Sequence, residues 1–328
     1  MKPNIVMAGV RTSGKLHLGH YFGALTNFVR LQNEFKCFFG IMDLHGMTTA
    51  YKDVSLIKTW NRDVFAEFLA WGLNPEKSTI FIQSEVPQHM ELFNLLGNLT
   101  PMGWLERVPT WKDAEEESKQ NDTHNLGRFS YPVLMCADVA LYFANQVPVG
   151  ADQVPHLELA REIIRRFNHL YKGQIPEPKP QLTSTPVIPG LDGRKMSKSY
   201  NNGFDLTEDA KSLSKKIKGM PTDPQRIRRE DSGDPQRCNV FTYHKLVSTS
   251  SDLEWVQQGC TTAGIGCGDC KGRLLENLEK LIQEPREKKK DLLNNPKRLD
   301  EMIHAGNEQA IKVASENMLR IKEWMKWQ

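Results

Sequence analysis

Two histidines near the start of the chain are the residues best suited to chemistry. His17 and His20 stand three positions apart and follow an apolar run at residues 5–7 that ends at Gly9. At this spacing both imidazoles would share one face of a helical first turn. A strand, turn and helix in this order direct free amides and the positive end of a helix dipole at one point. The pattern predicts a phosphate-binding turn, with a packed turn carrying two surface histidines as the alternative.

A second candidate segment lies in the middle of the chain, where lysines and serines follow a glycine. The loop that starts at Gly193 contains Lys195, Met196, Ser197, Lys198 and Ser199. Lysine is a compact cation and serine gives directional hydrogen bonds, so such a loop suits a polyphosphate. An ordinary basic loop is the alternative.

One carboxylate interrupts an apolar, helix-like segment at residues 131–144. Tyr131, Met135 and Asp138 stand at positions i, i+4 and i+7, so they share one face of a helix. An aromatic ring, a thioether and a carboxylate on one face predict an apolar pocket with a single hydrogen-bond acceptor. On the residues alone, a capping or pairing role for Asp138 inside the fold has equal weight.

The segments around these motifs alternate between strand-like and helix-like patterns. Strand-like residues are 5–7, 37–43, 79–83 and 146–149, and helix-like residues are 21–31, 55–71, 88–106, 131–144 and 154–170. This order predicts an α/β fold with a Rossmann-like parallel sheet, in which ligands bind at the carboxyl ends of the strands. Gly150 directly follows one strand, and Asp152 is then placed to hold ribose hydroxyls.

Length and charge set the remaining limits. The 328 residues allow two domains, and we predict a Rossmann-like catalytic domain at 1–203 and a mainly helical C-terminal domain at 204–328. The net charge of +3 is too small to indicate nucleic acid by itself, but the C-terminal part holds a local basic cluster. Its members are Lys211, Lys215, Lys216, Lys218, Arg226, Arg228 and Arg229. No apolar run approaches the ~18 residues of a membrane span, and no signal sequence is evident, so a soluble cytoplasmic protein is predicted.

Four of the six cysteines are clustered. Cys238, Cys260, Cys267 and Cys270 leave 21, 6 and 2 residues between them. In a reducing compartment such clustering predicts a metal site before a disulfide, with a tight chelating turn at Cys267–Cys270. Four thiolates suit zinc or an iron–sulfur cluster equally well, and the spacing does not separate the two.

Together these motifs resemble a known family. His17-Leu18-Gly19-His20 and the lysine loop resemble the two signatures of class I aminoacyl-tRNA synthetases. The segment 148–153, with His156, Glu158, Leu159 and Arg161, is similar to tryptophanyl-tRNA synthetases, as are Asp43-Leu44-His45 and the face that carries Asp138. The resemblance is specific over residues 1 to about 201 and looser beyond. Tyrosine enzymes are the nearest alternative.

The resemblance implies that ATP-Mg²⁺ activates L-tryptophan to tryptophanyl-adenylate with release of pyrophosphate, and that tryptophan then passes to tRNA(Trp). The implied catalytic residues are His20, Lys195 and Lys198. The implied ATP-binding residues are Arg11, Thr12, Ser13, Gly19, His20, Gly150, Ala151, Asp152, Ile188, Lys195, Met196, Ser197, Lys198 and Ser199. The implied tryptophan-binding residues are Met7, Gly9, His45, Tyr131, Met135, Asp138, Val147, Val149 and Gln153, with Asp138 accepting the indole N–H.

The resemblance also bears on the cysteines and on assembly. A subset of tryptophanyl-tRNA synthetases has a similar cysteine spacing and binds a [4Fe-4S] cluster near the anticodon site, so the cluster is favoured over zinc. The helical C-terminal domain is implied to read the anticodon, and a homodimer is implied. Thr12 stands where the family usually has proline, which predicts a looser first turn. The polar segment around Lys112 is poorer in lysine than the lid of many relatives.

Two other functions compete with this one. An adenylating enzyme of the same superfamily would activate a different acid and would charge no tRNA, which the long basic C-terminal region disfavours. An inactive relative would serve as an RNA-binding or metal-sensing module, which the intact Lys195 and Lys198 disfavour.

Overall fold

A parallel sheet is the centre of the computed structural model, which describes residues 4–109, 111, 124–182, 188–194, 196, 200 and 202–327. Its strands are β1 (Ile5–Arg11), β2 (Lys36–Met42), β3 (Ser78–Ile82), β4 (Gln146–Val149) and β5 (Lys179–Leu182). They are ordered β3–β2–β1–β4–β5, and every neighbouring pair is parallel. The predicted Rossmann-like α/β fold is confirmed.

Two strands differ from the prediction. β1 continues past Gly9 to Arg11, because its pairing with β2 runs on through Gly9–Gly40 to Arg11–Met42. β5 was not predicted; it lies in a proline-rich stretch and contains Pro180. It is the last strand of the sheet, where one side needs no ladder hydrogen bond and proline is tolerated.

The described helices lie between and after these strands along the chain. In chain order they are α1 (Leu18–His20) with a following π-helical turn (Tyr21–Leu25), α2 (Thr26–Leu31), α3 (Asp43–Ala50), α4 (Val54–Ala70), α5 (Gln88–Gly97), α6 (Met102–Leu105), α7 (Leu126–Leu141), α8 (Val154–Tyr171), α9 (Ala210–Gly219), α10 (Asn239–Val247), α11 (Ser250–Thr261), α12 (Cys267–Asn294) and α13 (Pro296–Met325). The single helix predicted at 88–106 is two helices, since Pro101 interrupts the backbone pattern between them. None of the described helices could cross a membrane.

The chain divides into two compact units. We call Met1–Lys15, Gly23–Ser184 and Asn295–Gln328 the sheet unit, and Leu16–Phe22 and Thr185–Asn294 the helical unit. This division differs from the predicted boundary between residues 203 and 204, because α13 belongs to the sheet unit. Its apolar stripe, which includes Ala310, Ala314 and Met318, instead belongs to the core that covers the sheet.

A close backbone contact explains why α13 packs on the sheet. A Cβ atom added at Gly306 of α13 would lie 1.9 Å from the carbonyl oxygen of Ile80 in β3. In addition, Asn307 accepts a hydrogen bond from the Ile82 amide at 2.9 Å. The glycine lets the helix axis approach the strand, and the asparagine satisfies a backbone group that would otherwise be buried without a partner.

The variant Gly306→Ala is expected to destabilise the sheet unit by roughly 1–3 kcal/mol, because backbone atoms of β3 must move to admit the methyl group. Gly97→Ala, at the end of α5, is the control, since no atom lies within 4 Å of the added carbon. Urea denaturation measures both free energies of unfolding. Equal values for the two variants would contradict this account of the α13 contact.

Candidate active site

The first turn after β1 is tied down from the interior. The buried Thr12 hydroxyl donates to Asn61 Oδ1 at 3.2 Å, and Asn61 Nδ2 donates to Asp43 Oδ2 at 2.8 Å. The backbone also fits closely here, since a Cβ at Gly46 would meet the Thr12 carbonyl oxygen at 1.9 Å. The Thr12 hydroxyl thus provides this turn with an anchor that proline lacks.

The two histidines share a face, as predicted. In the helical unit, the ring centroids of His17 and His20 lie 3.9 Å apart, and the His17 amide donates to His20 Nδ1 at 3.1 Å. Because Nδ1 accepts this hydrogen bond, the His20 ring carries its proton on Nε2. His20 therefore presents a hydrogen-bond donor at Nε2. Gly19 is needed between them, since a Cβ there would lie 2.8 Å from the His17 ring.

One residue of the lysine loop lies beside this histidine turn. The buried Met196 Sδ would be 3.6 Å from a Cβ at Gly19, and the Met196 amide donates to the Ile188 carbonyl at 3.2 Å. Thus the two signature segments meet within the helical unit, and Ile188 is adjacent. The other predicted loop residues, Lys195, Ser197, Lys198 and Ser199, lie outside the described residues, as does Lys112.

In the sheet unit, Asp138 is the centre of a buried hydrogen-bond network. Its Oδ2 is 2.7 Å from His45 Nε2, and its Oδ1 is 2.7 Å from both Gln83 Nε2 and His89 Nδ1. Burial alone would raise the pKa of Asp138. The charges and hydrogen bonds of His45 and His89 outweigh burial and hold that pKa well below its ordinary value. The carboxylate is therefore ionised at neutral pH, and it can act only as an acceptor.

A second chain of hydrogen bonds leads from the same helix to the turn after β4. The Tyr131 hydroxyl donates to Gln153 Oε1 at 3.1 Å, and Gln153 Nε2 donates to Asp152 Oδ2 at 3.0 Å. The Tyr131 ring also meets the His45 ring edge-on at 5.5 Å, so Tyr131 and Asp138 both contact His45. This confirms the shared face predicted for Tyr131 and Asp138.

The apolar residues predicted for the tryptophan slot lie in one core cluster. Met7, Val147 and Val149 are buried there and Met135 packs against it, whereas Gly9 is exposed on β1. After β4, Ala151 and Asp152 are exposed and Gly150 is half-buried. A Cβ at Gly150 would lie 2.7 Å from Asp152 Oδ1, so the glycine makes room for this carboxylate.

Sequence reasoning missed Gln83, His89 and Tyr142 in the sheet unit, and it named His156 only as part of the family resemblance. Gln83, His89, His156 and Tyr142 are all buried, and the first two contact Asp138 directly. His156 packs on the Tyr131 ring at 4.9 Å between centroids. The available signal was a polar residue directly after a strand, as at Gln83, and a histidine among apolar helix residues, as at His89.

In the helical unit, the four clustered cysteines line one small cavity together with Arg226, Thr222, Val240 and Ile265. Cys267 and Cys270 lie on the first turn of α12, three residues apart, rather than in a loop-like chelating turn. Burial and the charges of the other three cysteines raise the pKa of Cys270 to about 12. Within the described residues, no three His, Cys, Asp or Glu side chains already stand in a metal-binding arrangement.

Two polar side chains reach the sulfur atoms of this cavity. His244 Nε2 lies 3.4 Å from Cys270 Sγ, and the buried Arg226 guanidinium lies 4.0 Å from Cys260 Sγ. Arg226 is fixed by hydrogen bonds to the carbonyls of Arg229 and Ile265 at 2.8 and 2.7 Å. A buried cation and a hydrogen-bond donor beside four thiols suit a group that brings net negative charge to the cavity.

Comparisons with known proteins agree on one family. The model for the tRNA synthetases class I (W and Y) matches residues 1–283. A tryptophan–tRNA ligase of Thermotoga maritima is 45% identical over 98% of this chain and 98% of its own length, and that of Deinococcus radiodurans is 40% identical over 97% of each. A solved tryptophanyl-tRNA synthetase of Campylobacter jejuni, complexed with ADP and tryptophan, has a TM-score of 0.90 at 36% identity and covers 98% of this chain and 99% of that one.

We expect the buried His156 to make the free energy of unfolding decrease as the pH is lowered. Burial lowers the pKa of this imidazole to about 4, although the Asp152 charge opposes the shift. Between the unfolded value of about 6.5 and this folded value, only the unfolded chain gains a proton, so protein stability drops by at most about 3 kcal/mol as pH falls. His156→Gln should flatten this slope, and His169→Gln, on the exposed end of the same helix, should not. Denaturation curves from pH 7 to 4.5 measure how the free energy of unfolding depends on pH. Identical slopes in wild type and His156→Gln would disprove the lowered pKa of His156.

Proposed function

Since this chain belongs to the class I tRNA synthetase family of the tryptophan and tyrosine enzymes, we propose that it activates L-tryptophan with ATP and transfers it to tRNA(Trp). It acts as a tryptophan–tRNA ligase, like its relatives of 40–45% identity. The observation that carries this function is the buried, ionised Asp138 beside an apolar cluster, because a carboxylate there accepts the indole N–H.

In the first step, a carboxylate oxygen of tryptophan attacks the α-phosphorus of ATP in line, and pyrophosphate leaves with the electron pair of the broken P–O bond. This displacement requires positioning and neutralisation of charge more than covalent participation by the protein. The His20 Nε2–H is suited to donate to a phosphate oxygen. We assign the charge that grows on the β- and γ-phosphates to Lys195 and Lys198, and the ribose to Gly150 and Asp152.

Tryptophan is recognised at both of its ends. The indole N–H donates to Asp138, while the apolar ring lies in the slot of Met7, Met135, Val147 and Val149. The α-ammonium group is held by the Tyr131 hydroxyl and Gln153, which already form one hydrogen-bond chain. Phenylalanine offers no donor, so Asp138 would lose a hydrogen bond on binding it, at a cost of about 1–3 kcal/mol.

In the second step, a ribose hydroxyl at the tRNA end attacks the activated carbonyl and AMP leaves. The exposed basic residues of the helical unit suit the phosphates of this tRNA. They are Lys211, Lys215, Lys218, Arg228 and Arg229. Two members of the predicted basic cluster have partners within the protein instead. Lys216 forms an ion pair with Glu208, and Arg226 contacts Cys260. We also propose a cytoplasmic homodimer, in line with the resemblance; light scattering tests the assembly.

The four cysteines are proposed to bind a [4Fe-4S] cluster. They line a single cavity, and Arg226 and His244 stand beside two of the sulfur atoms, where the guanidinium can offset the charge of a thiolate-bound cluster and the imidazole adds a polar contact. When bound, the cluster supplies a crosslink between the segments that carry its ligands. Cys238 precedes α10, Cys260 lies in α11 and Cys267 begins α12, so one group would fasten three helices.

The variant Asp138→Ala is expected to lose preference for tryptophan over phenylalanine by about 10- to 100-fold in kcat/KM, because the indole acceptor is gone. ATP–pyrophosphate exchange with each amino acid measures this, and ATP affinity should be retained. Asp252→Ala, which removes a hydrogen-bonded carboxylate in the helical unit, is the control and should keep the preference. The pocket assignment fails if Asp138→Ala discriminates like wild type, and the function fails if wild type shows no tryptophan-dependent exchange.

Protein prepared without oxygen is expected to contain about four iron atoms per chain and a broad visible absorption. Cys260→Ser should lose this iron, whereas Cys37→Ser, a buried cysteine of β2, should retain it. Metal analysis and the visible spectrum measure both variants. If the protein contains stoichiometric zinc and no iron, the site is a tetrahedral zinc site and not a cluster. If Cys260→Ser retains the iron, the four-cysteine cavity is not where the iron binds.

A further inference from the structure

A buried chain of hydrogen bonds stands behind Asp138. We propose that Tyr142 and His89 are positioning residues for amino acid selection, and that they fix which oxygen of Asp138 stays open to the indole N–H. This proposal rests on the function proposed above, in which Asp138 accepts that N–H. It assigns to Tyr142 and His89 a part in specificity that acts through Asp138.

The chain is short and continuous. His89 Nδ1 lies 2.7 Å from Asp138 Oδ1, and His89 Nε2 lies 2.9 Å from the Tyr142 hydroxyl. Both side chains are 0% exposed. Phe81 stacks on the His89 ring at 5.6 Å and Phe38 stacks on the Tyr142 ring at 4.4 Å. These aromatic contacts hold both rings in place, so the hydrogen bonds have defined directions.

The donor in each of these hydrogen bonds follows from the chemistry of the groups. An ionised carboxylate has no proton to give, so His89 Nδ1–H must donate to Asp138. When the His89 ring is neutral, its Nε2 has a lone pair, and the Tyr142 O–H donates to it. Burial and the Asp138 charge raise the pKa of Tyr142 well above its ordinary value, so this hydroxyl keeps its proton. Tyr142 thereby selects the tautomer of His89 that serves Asp138.

The two oxygens of Asp138 are used unequally. Among the described residues, Oδ1 accepts from Gln83 and His89, whereas Oδ2 accepts from His45. Gln83 is oriented by the His45 amide, which donates to its Oε1 at 3.4 Å, and so it turns its NH₂ group to Asp138. A carboxylate has about four acceptor positions, so the remaining capacity is on Oδ2. Loss of the His89 donor would leave Oδ1 with Gln83 as its described donor and would open an acceptor position on that oxygen as well.

The test compares two amino acids that differ in the donor alone. In 3-(benzothiophen-3-yl)alanine a sulfur atom replaces the indole N–H of tryptophan with nearly the same shape. Tyr142→Phe is expected to lower kcat/KM for tryptophan by about tenfold in pyrophosphate exchange, and to change that for the sulfur analogue by less than about twofold. If Tyr142 only fills space in the core, both substrates will be affected alike, and this overturns the proposal.

Two further measurements separate positioning from packing. Tyr243→Phe is the matched control, because it removes an equally buried tyrosine hydroxyl that donates to the Pro189 carbonyl in the helical unit. It should leave the ratio between the two substrates unchanged. The ¹⁵N NMR shifts of the His89 ring should report a proton on Nδ1 in wild type, and a mixture of tautomers in Tyr142→Phe. A single unchanged tautomer in the variant contradicts the proposal.

Variants of His89 keep the proposal testable if Tyr142→Phe fails to fold. Asparagine can place an N–H near the position of His89 Nδ1, so His89→Asn should keep more of the preference for tryptophan than His89→Leu does. Equal loss in both overturns the proposal. If wild type treats the two substrates alike, the role of Asp138 itself fails. If wild type prefers tryptophan but Tyr142→Phe keeps the ratio, only the positioning role fails.

Discussion

A buried negative charge that must be satisfied is the constraint on which the sheet unit depends. Removing a carboxylate from water costs several kcal/mol, and leaving it with a missing partner costs roughly 3–5 kcal/mol. Asp138 on α7 meets this cost with donors from α3, from the turn after β3 and from α5, namely His45, Gln83 and His89. One side chain thus fixes four segments relative to one another. The same arrangement that stabilises the charge also leaves an acceptor beside an apolar slot.

The parallel sheet explains why these segments meet. Strands that run in one direction end at one edge, and the residues after them therefore collect there. Thr12 follows β1, Asp43 follows β2, Gln83 follows β3 and Gly150 follows β4. Asp43 joins two of these ends directly, since its Oδ1 accepts from the Ser84 amide at 3.0 Å while its Oδ2 accepts from Asn61 at 2.8 Å. Polar side chains at this edge hold one another before any substrate binds, which is the preorganisation that catalysis by positioning requires.

Much of this fold was predictable from local patterns, and the errors have physical causes. The face of Tyr131 and Asp138 followed from helical periodicity, and β4 was predicted with its observed bounds. Local patterns failed where another segment supplied the stabilising contacts. β1 extends through Gly9 because β2 continues to pair with it, and β5 tolerates Pro180 because it is an edge strand. α13 packs on β3 because Gly306 permits a contact that its own helical pattern does not reveal.

The sequence by itself determined the chemical inventory: histidines on a first turn, an acid on an apolar helix and four clustered thiols, because residue type and short-range periodicity are local properties. Tertiary structure alone decided the partners. His89 and Tyr142 stand 49 and 53 residues from their partners Asp138 and His89. No spacing rule connects such residues, since the packing of separate strands and helices sets their distances. The hydrogen-bond partners of a histidine and of a carboxylate therefore become visible only in the folded chain.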